Sequence, residues 1–336
     1  MHIPENYLSP ATCGVMAVAM VPVWVNAVKK VRQKVPKEKL TLIGVLAAFS
    51  FIAMMFNVPL PGGTTGHAVG GTLIALILGP EAACIAVSIA LLIQAVLFGD
   101  GGILAFGANC FNMAFVLPYV GYGVYSLIRK YAKSEGGELL AAGVGAYAGI
   151  NAAAFVAALE FGIQPYIAHD AAGMALYCPY GLNIAIPSMM IGHLTLFGVV
   201  EVLFTVAVYA FVRRTSPGTI KTGEKTNLKP LYYLLGALLV LVPLGLLAEG
   251  TAWGEWGADE IAQITSGGTA LGYTPSGMLS GFEWNALIPD YSLAGLPDVA
   301  AYYLSAVIGI ALSVIIFRLV AAARKDKPSD TPAAAA

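Results

Sequence analysis

The sequence predicts an all-α integral membrane protein, a seven-span helical bundle followed by a two-span unit with an outward loop. Three observations predict it. Of 336 residues, 58% are hydrophobic and only 11% charged, whereas soluble domains carry about 25% charged residues. A span needs roughly 20 mostly apolar residues, and nine such runs occur, at 8–28, 40–58, 64–79, 82–98, 108–128, 138–160, 185–212, 230–248 and 300–320. All 18 Lys and Arg fall within 29–39, 129–133, 213–229 and 318–327. Nine crossings put these clusters on one side, which the positive-inside rule makes cytoplasmic. One crossing fewer would scatter them to both. The reading is therefore a multi-pass protein of the cell (inner or plasma) membrane, with its N-terminus outside and its C-terminus in the cytoplasm.

Taken in order, the chain opens on Met1-His2-Ile3-Pro4. Pro4 holds Ile3 extended, and the first span follows within a few residues. No basic residue precedes Lys29, so no cleavable signal peptide is expected. Met1 is expected to stay, since His2 is bulky. Between the second and third spans runs Pro59-Leu60-Pro61-Gly62-Gly63-Thr64-Thr65-Gly66-His67. Glycines and small hydroxyl residues let such a backbone enter a bundle where larger residues could not. Only Gly79-Pro80-Glu81 divides the third span from the fourth. The fifth begins Gly107-Ala108-Asn109-Cys110-Phe111-Asn112-Met113, with both asparagines on one helix face. His193 and Glu201 lie in the seventh and are candidates by default, as ionisable groups at membrane depth. About 12 Å apart along a helix, they cannot share one ion.

A polar run from Arg213 to Lys229 reads as a cytoplasmic linker. The expected parts are a bundle at 1–215, a linker at 216–229, a unit at 230–323 with an outer loop at 249–299, and a disordered tail at 324–336. The outer loop holds Glu249, Glu255, Asp259, Glu260, Glu283, Asp290 and Asp298 and no basic residue. Either it attracts cations or it is an outward cap following the charge bias. The four cysteines lack metal-ligand spacing and read as small buried side chains. No G-x-x-x-x-G-K-[ST] phosphate loop and no H-E-x-x-H occurs. ATP hydrolysis by that route and zinc-peptidase chemistry are thus excluded, and an enzyme is not expected.

The opening residues carry coordination chemistry. The α-amine, the backbone nitrogen between Met1 and His2, and the His2 imidazole can close a five- and a six-membered chelate ring around one ion. Three nitrogens in a plane suit Ni(II) or Cu(II), Zn(II) poorly, and Mg(II) or Ca(II) worse. A fourth nitrogen would come from His67, His169 or His193, the remaining histidines. His67 is expected on the same face as the N-terminus and is either that ligand or an interfacial residue. Asn109 and Asn112 either glue helices or orient His2 or His67 from behind. His169, beside Asp170 in an outer loop, reads as exposed.

With these motifs in place, the first 215 residues resemble the CbiM/NikM family, the substrate-binding membrane subunits of energy-coupling factor (ECF) transporters for cobalt and nickel. Residues from about 228 to 320 are similar to the N component of the same systems, so the whole resembles a fused NikMN-type chain. The resemblance implies uptake of Ni(II) or Co(II), the transported substrate, the latter serving cobalamin biosynthesis. It implies an ion held by the Met1 amine, the His2 backbone nitrogen and imidazole, and His67, with Asn109, Asn112 and His193 as supporting candidates. Partners would be a membrane coupling (T/Q-type) subunit and cytoplasmic ATPase subunits, with no nucleic acid. One departure is Glu5-Asn6 where the family usually has Asp-Gly; Asn tolerates a left-handed backbone, so the turn is expected to survive. The rival reading is a self-sufficient secondary cation transporter or channel, which would transport in liposomes without ATPases. The absence of an obvious internal repeat weighs against it.

Overall fold

The computed structural model describes residues 1–60, 63–220, 226–248, 250–264 and 269–324. In chain order the main helices are α1 (Pro10–Lys34), α2 (Leu40–Met54), α3 (Gly71–Leu78), α4 (Pro80–Phe98) and α5 (Phe106–Arg129), then α6 (Glu135–Ile167), α7 (Leu182–Thr215), α8 (Lys229–Leu247) and α9 (Asp298–Ala323). Among the described residues, all but α2 and α3 are long and apolar enough to cross a membrane. The protein is an all-α membrane protein; its only sheet among the described residues is the two-stranded hairpin of β1 (Val58–Leu60) and β2 (Thr64–Gly66).

Sequence and position explain the two short helices. Apart from Thr41, every residue of α2 is buried, as expected for a helix that is apolar all round. It is the central post of the molecule, and α9 lies along it. Gly44 faces Phe317 and the Ser313 carbonyl, while the Phe51 ring rests on Gly309, where a Cβ would come within 2.1 Å. Small residues thus let the two helices approach closely, and the C-terminal helix seals the bundle's centre.

The expected span at 64–79 is not a continuous helix. Its first part is strand β2, residues 67–70 are irregular, and only eight residues, about 12 Å, are helical. Glycine and threonine give the segment no helical drive, and Gly70 sits at φ +72°, where a Cβ is unfavourable. Irregular backbone at membrane depth needs protein partners for its amides, and Glu201 of α7 supplies them. Its buried carboxylate accepts from Val69 N–H at 2.8 Å and Gly70 N–H at 3.1 Å, at the start of α3. Glu201 thus serves this loop.

The described members of the basic clusters gather at one end of the bundle. Lys30 pairs with Glu81 at 2.7 Å, the Lys39 ammonium donates to Thr219 O, and Arg129 and Arg213 both approach Glu138. Arg324 donates to the Val35 and Arg32 carbonyls, so it closes α9 onto α1 and is not part of a loose tail. The rest of the expected tail, 325–336, lies outside the described residues, as do 221–225 of the linker and Glu249.

Candidate metal centre

The N-terminus is threaded into the molecule and held along its length. Met1 is 5% exposed, His2 3% and Ile3 0%, unlike the frayed ends of most chains. Asn109 grips the Ile3 backbone from both sides. Its Oδ1 accepts the Ile3 N–H at 2.7 Å and its Nδ2 donates to Ile3 O at 3.0 Å, where Gly102 N–H also donates at 2.8 Å. Glu5 accepts from the amides of Ile103 at 2.5 Å and Leu104 at 3.2 Å. Burial pushes the Glu5 carboxyl above its ordinary value, against those two amides. Asn6 lies at φ +59° and exchanges two hydrogen bonds with Phe282. Asparagine thus adopts the left-handed turn the sequence required of it. Further on, Cys178 N–H donates to Tyr7 O, and Gln164 Oε1 accepts from Ser9 N–H, both at 2.9 Å.

This anchoring brings His2 against His67. The His67 Nδ1 lies 3.2 Å from Ala68 O, which puts the ring proton there and leaves the Nε2 lone pair free. That Nε2 is 3.2 Å from His2 Nδ1, with ring centroids 5.0 Å apart. His2 Nδ1 is also the imidazole nitrogen that can share a six-membered chelate with its own backbone nitrogen. The opposite nitrogen, Nε2, faces Gln94 Oε1 at 3.3 Å. Asp100 Oδ1 lies 3.3 Å from His2 Nδ1, and the Met1 amine donates to Glu255 Oε1 at 2.8 Å. A cavity of about 350 Å³ opens above the two histidines, with Asp100, Glu255, Asp290 and Tyr291 among its walls. Burial and the neighbouring Asp100 push the Tyr291 phenol well up, so it stays protonated and donates to Asp100 Oδ2 at 2.5 Å. Asp290 is likewise raised, by burial and then by Asp100.

The other sequence candidates divide. Asn109 joins the centre by positioning Ile3. Asn112 does not: its amide donates to Glu160 Oε2 at 2.8 Å, away from both histidines. The helix passes into π winding over Cys110–Val116, and the wider π turn separates two side chains that an α-helix would have put on one face. His193 also begins a π stretch, His193–Phe197. Its Nδ1 is tied to Met189 O at 2.8 Å and its ring packs edge-on against Phe197. It lines a small cavity with Met1 and Thr65, beside the pair formed by His2 and His67. His169 is exposed and bonded to Asp170 O.

Four residues at the centre went unassigned in the sequence: Gln94, Asp100, Glu255 and Tyr291. Gln94 carried a signal, being a lone amide in an otherwise apolar span. Asp100 sits among Gly99, Gly101 and Gly102, a pattern of close backbone approach. Glu255 and Tyr291 lie in the acidic loop, over 150 residues downstream; the sequence offered that loop as attracting cations or as an outward cap and assigned neither side chain to the centre.

The multi-pass helical bundle buries its own N-terminus under a polar cavity, and its relatives are named as transport proteins: this is a membrane transport protein, not an enzyme. The chain belongs to the CbiM family, described as the cobalt uptake substrate-specific transmembrane region, whose family model matches residues 2–219. A PDGLE domain model matches residues 229–326. The "Probable fused nickel transport protein LarMN" of Lactiplantibacillus plantarum is 51% identical over 321 residues, 95% of this chain and 97% of that protein. The "Fused nickel transport protein NikMN" of Rhodobacter capsulatus is 46% identical over 94% of this chain and 95% of its own length. A crystal structure of a truncated transition metal transporter is 54% identical, covers 64% of this chain and 99% of its own, and superposes with a TM-score of 0.61.

Proposed function

We propose that this chain is the substrate-binding membrane component of an ATP-driven importer of the ECF type for Ni(II) or Co(II). The ion is held by four nitrogens: the Met1 amine, the His2 backbone nitrogen, His2 Nδ1 and His67 Nε2. The observation that carries the reading is the 3.2 Å approach of His2 Nδ1 to His67 Nε2. Two nitrogens at right angles on one ion, each about 2 Å from it, stand about 2.8 Å apart. Among the described residues no cluster of three or more His, Cys, Asp or Glu side chains could hold a metal ion; the main-chain nitrogens of Met1 and His2 complete the set in this reading. The relatives named for nickel transport support the cargo.

In this mechanism Asp100, Glu255 and Asp290 draw the cation into the cavity. Capture requires the Met1 amine to leave Glu255 and shed its proton. Deprotonating the backbone amide lowers the net charge of the bound ion, and with it the cost of holding the ion at membrane depth. Residues 1–215 form the metal-binding part, 216–229 the linker, and 230–323 a two-span unit whose loop roofs the cavity. The basic end faces the cytoplasm, where a coupling subunit and ATPases drive release, since the chain carries no phosphate loop of its own.

The test is at the terminus. Adding Gly-Ser ahead of Met1 should abolish tight nickel binding in calorimetric titration while leaving the protein folded, as its circular dichroism spectrum checks. Intact mass spectrometry of the parent protein checks whether Met1 is the mature first residue. Undiminished binding by the extended protein would overturn the four-nitrogen site.

A further inference from the structure

Tyr291 belongs to the loop after α8, yet its phenol reaches the segment Gln94–Phe98, where α4 changes to π winding. Its ring stacks on Phe98 at 4.7 Å and meets Tyr302 edge-on at 5.6 Å. Ile288 N–H donates to Leu97 O at 2.9 Å and pins the same turn to α4. Asp290 and Tyr291 stand in succession at φ +51° and +57°. Two consecutive non-glycine residues persist there only when the surroundings fix them.

The hydroxyl sits at the centre of a directed network. It donates to Asp100 Oδ2 at 2.5 Å and accepts from Gln94 Nε2 at 3.0 Å. Gln94 Nε2 also donates to Asp100 Oδ2, at 3.2 Å. The NH₂ end of Gln94 is thereby held by the Tyr291–Asp100 pair, and its Oε1 is left facing His2 Nε2 at 3.3 Å. An amide has two unlike ends. Flipped, Gln94 would set its NH₂ against the imidazole N–H and its oxygen against Asp100.

We infer that Tyr291 is a positioning residue for His2: through Gln94 and Asp100 it fixes the amide end that meets the imidazole, and so tunes metal affinity from the C-terminal unit. The inference rests on the four-nitrogen reading. When Nδ1 binds the ion, Nε2 must carry the ring proton and needs an acceptor. Such remote acceptors orient a metal-bound imidazole and raise its basicity, and their loss typically costs 10- to 100-fold in affinity. Tyr291 acts one bond further out, so the expected loss is about threefold to tenfold, that of one hydrogen bond.

The test is a double-mutant cycle on nickel affinity in the full-length protein, with melting temperature as the fold control. Tyr291→Phe keeps the stack on Phe98 and should weaken nickel binding about threefold to tenfold. Gln94→Glu presents an acceptor at both ends, so orientation no longer matters. In that background Tyr291→Phe should change affinity by less than about twofold. Equal losses in both backgrounds, or none in the parent, would show that Tyr291 has no orienting role and overturn the inference, leaving the four-nitrogen site intact. Parent protein that binds neither nickel nor cobalt would sink the site itself and this inference with it.

Discussion

Asn109 treats Ile3 as a neighbouring β-strand would, giving one bond to its carbonyl and taking one from its amide. Asn109→Ala leaves the buried Ile3 N–H unpaired, at about 1–3 kcal/mol, and leaves its carbonyl with Gly102 N–H alone. Because those groups fix the chain one residue after His2, nickel affinity should fall at least about tenfold. Asn112→Ala, which disturbs only the contact with Glu160, should lower the melting temperature and leave nickel affinity unchanged. Equal losses of affinity from the two would mean that Asn109 acts merely on stability. The histidines give the matching contrast by titration: His67→Ala, which removes a proposed ligand, should weaken nickel binding, and exposed His169→Ala should leave it unchanged. At this scale the sequence revealed which residue types mattered. It did not reveal that a π turn would send two asparagines three apart to different partners.

The element that positions the centre is the segment from β1 to α3, and its key partner is on another helix. Glu201 caps the start of α3 just after His67. Replacing it by Ala leaves two buried amides without acceptors and should cost about 2–5 kcal/mol. Gln keeps one acceptor oxygen and should recover part of that. Thermal unfolding in detergent, together with nickel titration, checks both variants. A fully stable Glu201→Ala protein would show that water or another group satisfies those amides. The run of Pro, Gly and Thr before His67 announced an irregular stretch, but composition alone suggested a continuous span. The difference came from hydropathy counting, which registers apolar length and is blind to where a chain breaks.

For the whole molecule, the centre joins sequence positions 1, 2, 67, 94, 100, 255 and 291, and the nitrogens proposed as ligands must all be free of protons to bind. Nickel affinity should therefore rise with pH, since binding releases protons. Titrations between about pH 6 and about pH 8, across the imidazole range, should show affinity falling steadily toward acid. A flat profile would be incompatible with amine, amide and imidazole ligands.

By itself the sequence determined the membrane class, the placing of the basic clusters and the chelating potential of Met1-His2, because these depend on composition and on covalently adjacent atoms. It also permitted the left-handed turn at Asn6, which the family resemblance implied and asparagine tolerates. Only the tertiary structure decided that His67 comes to His2, that Glu201 serves the His67 loop, and that Glu255 and Tyr291 close over the N-terminus. Those contacts span 65 to 254 positions, and side chains so far apart meet through helix packing, which no local pattern in the chain encodes.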